Sequence, residues 1–301
     1  MILLYHLIFP DDTPADSWNA GNIIRVSAFR RQLRWLHRHF SFVSLEEYVA
    51  LLQTDPKLTK ANLALTFDDG YARTYALAAP VLREEGIPTT FFANTVNRDK
   101  GLLWFVYFNA LCSEKAYPAV EINSVSHPLD TKRNSLRAWK ALIQLARSSP
   151  DARAFADEFA SKYPLPAQIQ DKYAGLRSEQ LAEIGASTIF SLGGHTHSHP
   201  YLDQLGQAEQ REEMLLNRQI LEQISGKPVS FFAYPGGVYN QSSITAAQQA
   251  GFRAAFAVTP ARISADPMFE IPRSGVFSPA LWKLQVKVLG LVDFLRAGRS
   301  G

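Results

Sequence analysis

Two short stretches, far apart in the chain, carry residues that could act on one ion. The first is Thr66-Phe67-Asp68-Asp69-Gly70 and the second is Gly194-His195-Thr196-His197-Ser198-His199-Pro200. Adjacent carboxylates placed directly after an apolar run are costly near a core unless they are paired or bound to a cation. Two histidines four residues apart supply imidazoles on one side of a helical turn. Together the stretches offer one Asp and two His to a divalent cation, with a second Asp left beside it to act as a base. That is the equipment of metal-assisted hydrolysis. Two His and one carboxylate also make the facial triad of iron oxygenases. The second Asp and the strand pattern described below favour hydrolysis, and iron content with dioxygen dependence separates the two.

Each residue also has a plainer reading. Asp-Gly is a strong turn signal, enough by itself to explain Asp69-Gly70; the remote His-x-x-x-His segment shifts the weight to chemistry. His195 and His199 could be loop histidines on the surface, as His37, His39 and His127 are expected to be. Gly193-Gly194, however, lets backbone approach closely at this point. His197, between the two, is expected to point elsewhere. His6 ends an apolar run, where a histidine is often merely hydrogen-bonded, yet a hydrolase needs an acid for its leaving group and imidazole titrates in the right range. The turn Phe232-Ala233-Tyr234-Pro235-Gly236-Gly237 could aim a backbone N–H near Tyr234 at a developing oxyanion, or could simply close a rim.

These residues need a scaffold. Strands are expected at Ile2–Tyr5, Phe40–Val43, Leu63–Phe67, Thr89–Asn94, Ile189–Gly193, Ser230–Tyr234, Ala254–Val258 and Glu270–Ile271. Amphipathic helices alternate with them. Ser27 is expected to cap the first, whose apolar face is Phe29, Leu33, Leu36 and Phe40. Ser44 with Glu47 makes a capping box for the second. Gln207–Ile224 and Ser242–Ala250 are further helices. Near-continuous apolar strands alternating with helices indicate an α/β fold with a parallel sheet, and seven or eight units favour a barrel. His6, Asp68, Asp69, Asn94, His195 and Pro235 then fall at the C-terminal strand ends, which a parallel barrel gathers on one face. Residues of about 100–176 break the rhythm. They show helical patterns, including Leu136–Arg147 and Ala152–Tyr163, and no convincing strand. They are expected to be a helical insertion in a single domain spanning 1–301. Its aromatic cluster of Trp104, Phe105, Tyr107 and Phe108 is expected to serve its own packing, with sugar stacking as the alternative. The tail Ala280–Arg296 is amphipathic through Leu281, Leu284, Val288, Leu291 and Leu295. It is expected to pack on the domain, with peripheral contact to a membrane as the sharper reading.

Bulk properties narrow the class. The chain of 301 residues is 47% hydrophobic and 20% charged, with 31 basic and 28 acidic residues and a net charge of +3. That is ordinary for a globular protein, and without a long basic run nucleic acid is not suggested as a partner. Cys112 is the sole cysteine, so no intrachain disulfide can form. The N-terminal residues lack the features of a signal peptide, which makes a cytoplasmic location, with possible membrane association through the tail, the expectation.

The Thr-Phe-Asp-Asp-Gly stretch and His195-Thr196-x-x-His199 together resemble the first two motifs of the NodB-homology polysaccharide deacetylases, carbohydrate esterase family four. The resemblance covers roughly residues 1–100 and 177–276. It implies a distorted (β/α)7 barrel, Asp68 as catalytic base, and Asp69, His195 and His199 as ligands of a divalent metal, usually zinc. Two departures stand out. Many members carry an Arg in an Arg-Pro-Pro-Tyr-type third motif that orients the base; here Ala233 falls at that position, and Arg273 in Ile271-Pro272-Arg273-Ser274-Gly275 is expected to supply the guanidinium. Nor does any histidine follow His199 to form the usual C-terminal acid motif. Leu4-Tyr5-His6 is instead similar to the circularly permuted branch that includes poly-N-acetylglucosamine deacetylases, which gives the acid role to His6. The implied reaction is removal of an N-acyl group, above all N-acetyl, from an amino sugar in a glycan or glycoconjugate precursor. Deformylation or deacylation of a lipid-linked sugar, and a non-catalytic glycan-binding protein, are the alternatives.

Overall fold

The structure is a computed structural model that describes residues 1–14 and 23–289. Leu291 and Leu295 of the expected tail helix lie outside the described residues. The strands are β1 (Ile2–Tyr5), β2 (Ile8–Phe9), β3 (Ile24–Arg25), β4 (Ser41–Phe42), β5 (Asn62–Phe67), β6 (Thr89–Ala93), β7 (Ala119–Ile122), β8 (Val125–Pro128), β9 (Phe190–Gly194), β10 (Phe231–Ala233), β11 (Ala254–Ala257), β12 (Ile271–Pro272) and β13 (Ser274–Gly275). The α-helices are α1 (Val26–His39), α2 (Leu45–Thr54), α3 (Ala72–Glu84), α4 (Trp104–Ser113), α5 (Lys132–Ser148), α6 (Ala152–Lys162), α7 (Ala167–Tyr173), α8 (Ser178–Ala186), α9 (Gln207–Ser225), α10 (Gln241–Gln249) and α11 (Leu281–Val288).

The main sheet runs β12-β11-β10-β9-β6-β5-β1-β13, all parallel, with β4 beside β5. Only Arg273 separates β12 from β13, so the two ends of that order are one passage of chain. On one side the Arg273 N–H donates to the Ala257 carbonyl at 2.8 Å; on the other the Val276 N–H donates to the Leu4 carbonyl at 2.7 Å. The sheet thus nearly closes on itself as a distorted barrel, seven-membered when that passage is counted once. The expected last strand, Glu270–Ile271, was therefore placed slightly early and cut short.

Alternation along the strands splits the core in two. Ile2, Ala64, Phe92, Ala233, Ala254, Phe256 and Ile271 share one cluster with Leu45, Tyr48 and Val49 of α2. The intervening residues, such as Leu3, Leu65, Phe67, Phe91 and Phe232, pack outward against Phe29, Leu33 and Leu36 of α1 and against the other helices. This two-sided burial is why the strands read as unbroken apolar runs. The capping box at α2 is present, with Ser44 Oγ accepting from the Glu47 N–H at 3.1 Å and Glu47 Oε2 accepting from the Ser44 N–H at 2.8 Å.

Two local expectations need correction. Ser27 does not cap α1. The helix begins at Val26 after an extended Arg25 with no side-chain cap, and the Ser27 N–H donates to Asp11 Oδ1 at 2.9 Å. The β2–β3 pairing holds the chain extended up to Arg25, and the acceptor comes from another segment. The insertion also contains strands: β7 and β8 form an antiparallel hairpin. Its two turn residues, Asn123 (φ 50°) and Ser124 (φ 62°), are both left-handed, as a tight two-residue hairpin turn requires. Serine where glycine is usual, and the mostly exposed side chains of β8, hid the signal. The rest of the insertion is helical, α4 to α7, and buries its own cluster around Phe108, Leu111, Val120 and Leu142.

Gly193 shows how tightly the barrel interior is filled. A Cβ there would meet Phe92 Cδ1 at 2.3 Å, and that ring is held by Phe256 at 5.6 Å and by the Arg273 guanidinium at 5.0 Å. Gly193→Ala should therefore lower stability by about 1–3 kcal/mol through overpacking, read by chemical denaturation.

Candidate active site

The two carboxylates leave β5 in different directions. The Asp68 N–H is fixed to the Tyr5 carbonyl at 3.1 Å, still in register with β1. Asp69 and Gly70 then both take left-handed backbone, at φ 69° and 61°. For a non-glycine residue that conformation costs free energy and marks a position held by its surroundings. Thr196 (φ 62°) and His199 (φ 58°) adopt it as well, so three of the strained positions lie in the two motifs.

The histidine loop after β9 is held from several sides. The His195 N–H donates to Asn217 Oδ1 at 3.0 Å, and Asn217, on α9, donates to the Ala93 carbonyl at 3.0 Å. Asn94 Nδ2 donates to the His195 carbonyl and, at 3.1 Å, to that of Thr196. Glu213 of α9 accepts from the Ser198 N–H at 2.8 Å and hydroxyl at 2.7 Å. From the insertion, Trp104 Nε1 donates to the His199 carbonyl at 2.8 Å, and the Phe105 ring lies 4.5 Å from the His199 ring.

This framework brings three donor atoms together. His195 Nε2 is 3.4 Å and His199 Nε2 3.5 Å from Asp69 Oδ1, and the set of ligand atoms lies within 4.8 Å. His195 Nδ1 is 2.7 Å from the Ala233 carbonyl. That bond assigns the ring proton to Nδ1 and turns the Nε2 lone pair toward Asp69, the arrangement in which histidines bind metals. Burial alone would push the Asp69 carboxyl up, but His195, His6 and His199 outweigh it and hold Asp69 well below the usual range. Burial lowers His199 to about 4, so its ring is neutral, as a ligand must be. For His195 burial favours the neutral ring, yet Asp68 and Asp69 prevail and its pKa is raised. A buried carboxylate and two buried imidazoles at these distances fit a divalent cation.

Asp68 faces the barrel axis instead. Arg273 Nη1 and Nη2 donate to its two oxygens at 2.7 Å each, a forked pair with side chains 0% and 4% exposed. Burial works against the Asp68 charge, but Arg273 offsets it and the pKa is lowered. Arg273 also reaches Thr66 Oγ1 at 3.3 Å. The structure thus puts a guanidinium on Asp68 from the position named in the sequence. His6 follows β1, next to Asp68 across the ladder, and its ring stacks on Phe277 at 5.6 Å. His6 and Asp69 open on one cavity of about 410 Å³, whose walls include Tyr71, Phe105 and Phe277. His197 turns away and bonds Thr95 Oγ1 at 2.8 Å.

Tyr234 is a correction. Its N–H is spent on the Phe256 carbonyl at 3.1 Å and its hydroxyl on the Phe269 carbonyl at 3.0 Å, while its ring stacks on Tyr239 at 4.3 Å in the outer core. The ladder to β11 continues through Tyr234, so the residue cannot offer that N–H to a substrate. Conversely, sequence reasoning missed Tyr71 and Phe277. Burial first, then the nearby Asp69 carboxylate, raises the Tyr71 pKa well above normal. Its place next to the Asp-Asp-Gly motif was the available signal; Phe277 had none.

The fold has known counterparts. Residues 55–255 match the profile of the polysaccharide deacetylase family, and the chain belongs to that family. It is 21% identical over 268 residues to YxkH of Bacillus subtilis strain 168, assigned by name to the polysaccharide deacetylases. The match takes in 88% of this chain but 66% of YxkH, so the chain spans just under two thirds of that relative. Among solved structures, the deacetylase PplD of Streptococcus pyogenes in complex with acetate superposes with a TM-score of 0.57 at 20% identity, covering 94% of this chain and 96% of that one. IcaB from Ammonifex degensii gives 0.58 at 17% identity, covering 95% and 96%. These structural likenesses are of fold.

Arg273→Ala should leave Asp68 buried without its counter-charge. Stability should fall by about 3–5 kcal/mol, the usual result of breaking a buried pair. Burial then pushes the Asp68 pKa up, so the pH below which activity fails should rise. Arg273→Lys, which keeps charge but not the fork, should recover part of both. Denaturation curves and a pH–rate profile read these effects; turnover unchanged in Arg273→Ala would remove Arg273 from the reaction.

Proposed function

We propose that this chain is a divalent-metal-dependent hydrolase that removes an N-acetyl group from an amino sugar of a glycan or glycoconjugate. One observation carries the reading. Asp69, His195 and His199 form a ligand set beside a second carboxylate that Arg273 keeps charged, and the site opens on a cavity shared with His6. A divalent ion at the three ligands, zinc being the expected one, would polarise the acyl carbonyl and lower the pKa of a water. Asp68 takes the water's proton. Arg273 keeps it ionised and fixes its plane, and each carboxylate oxygen retains a lone pair for that proton. Since Tyr234 is engaged and Pro235 has no N–H, the next backbone donor along the turn is Gly236, at φ 59°, and it is assigned to the developing oxyanion. His6 gives its proton to the departing amine, with Phe277 holding the ring. Acetate and a free amino sugar result. A formyl group in place of acetyl is the nearest variant, and N-formyl and N-acetyl sugars assayed side by side separate the two.

Metal content decides the first part. The purified chain should hold about one divalent ion, and Asp69→Ala and His199→Ala should each lose it, together with acetate release from N-acetyl sugars. Iron with dioxygen dependence would favour the oxygenase chemistry, and no metal after reloading would favour a non-catalytic glycan binder. In the loaded enzyme, His6→Ala should lower kcat by about 10²–10⁴-fold while metal content holds; loss of metal in that variant would make His6 a ligand or a structural residue instead.

A further inference from the structure

Helix α11 carries two apolar stripes where a surface helix needs one. Its inner stripe, Leu284 and Val288, is buried in the outer core. Its outer stripe is Trp282 and Val286, continued by Leu289 just past its end at spacing i, i+4, i+7, with Trp282 62% and Leu289 55% exposed. Lys283 is exposed beside it, its ammonium 5.7 Å from the Trp282 ring. The neighbouring helix carries exposed arginines. Helix α1 packs against α11 and exposes Arg31, Arg34 and Arg38. Among the described residues, α1 forms ion pairs through Arg30 with Glu84 and His37 with Glu85.

A tryptophan flanked by basic side chains on a helix with an unburied apolar stripe suits the headgroup level of a bilayer. The exposed arginines of the helix packed on it add attraction to anionic lipid, which an uncharged apolar partner would not use. The same helix borders the mouth of the cavity. Phe277, 48% exposed, stacks on His6, and Lys287 of α11 lies 5.8 Å over the Phe277 ring.

We propose that the α1–α11 face docks on an anionic phospholipid bilayer and sets the His6–Phe277 mouth beside the membrane. If the deacetylase reading above holds, on which this clause alone rests, the amino sugars it acts on are those carried at that surface. The test is co-sedimentation of the full chain with phosphatidylcholine vesicles, with and without phosphatidylglycerol. Binding should require phosphatidylglycerol and be released by salt. Trp282→Ala, and Arg34→Glu with Arg38→Glu, should each reduce vesicle binding by about tenfold or more. Turnover of a soluble N-acetyl sugar should be unchanged in both, since these exposed side chains lie outside the reacting groups. No binding to phosphatidylglycerol vesicles, or binding retained in full by both variants, overturns the proposal. Vesicle binding is read without turnover, so an inactive enzyme would count against the reaction and leave docking standing.

Discussion

The ion pair between Asp68 and Arg273 is the constraint on which the site rests. Arg273 lies at the single break in the passage that closes the barrel, between β12 and β13. Its backbone belongs to the ladder with β11, and its side chain crosses the interior, passes over Phe92 and ends in a fork on Asp68. The same residue therefore joins closure of the sheet to the charge state of Asp68. A carboxylate this buried would otherwise prefer to be neutral, and a neutral carboxyl cannot accept a proton from water. The small residues of the interior, Ala64, Ala233, Ala254 and Gly193, leave the volume that the Phe92 ring and the guanidinium fill.

The histidine half of the site is organised by a different means. Its loop has little regular structure, yet α9, the end of β6 and the insertion all anchor it through buried hydrogen bonds. Left-handed backbone at Thr196 and His199 persists because those bonds over-determine it. The insertion contributes to the chemistry through this route: Trp104 fixes the His199 carbonyl and Phe105 covers its ring, while Tyr107 and Phe108 serve the insertion's own core. Ligands positioned this way lose little freedom on meeting an ion, which is how supporting contacts raise affinity.

Much of this was legible in the sequence, for identifiable reasons. Barrel strands buried on both faces announce themselves as apolar runs, and the polar residues just past their ends mark the shared face. Arg273 was named because the resemblance called for a guanidinium that Ala233 cannot supply, and because it follows the last expected strand. What escaped was whatever depended on a distant partner. The cap expected of Ser27 was displaced by Asp11 and the β2–β3 pairing. Near Tyr234, where a free backbone N–H was expected, that residue's own N–H is claimed by Phe256. Trp104 and His199 are 95 positions apart, and nothing local to either predicts their bond. The β7–β8 hairpin failed for the opposite reason: its signal is local, but a serine stands where glycine would have revealed it.

The charges of the site bear on what it holds. Asp68 and Asp69 are both buried and both kept ionised, yet they face a single guanidinium. Arg273 is committed to Asp68 through both oxygens, which leaves the Asp69 charge to two imidazoles, one of them made neutral by burial. An unbalanced buried charge is expensive, so the side chains alone are one positive charge short. A proton on His195 can supply it, and the upward shift of that histidine is the mark of this pressure. A divalent cation meeting all three donors at once would supply it as well. The adjacent aspartates are thus divided by their partners: Asp68 is neutralised by a guanidinium, while Asp69 faces two imidazoles.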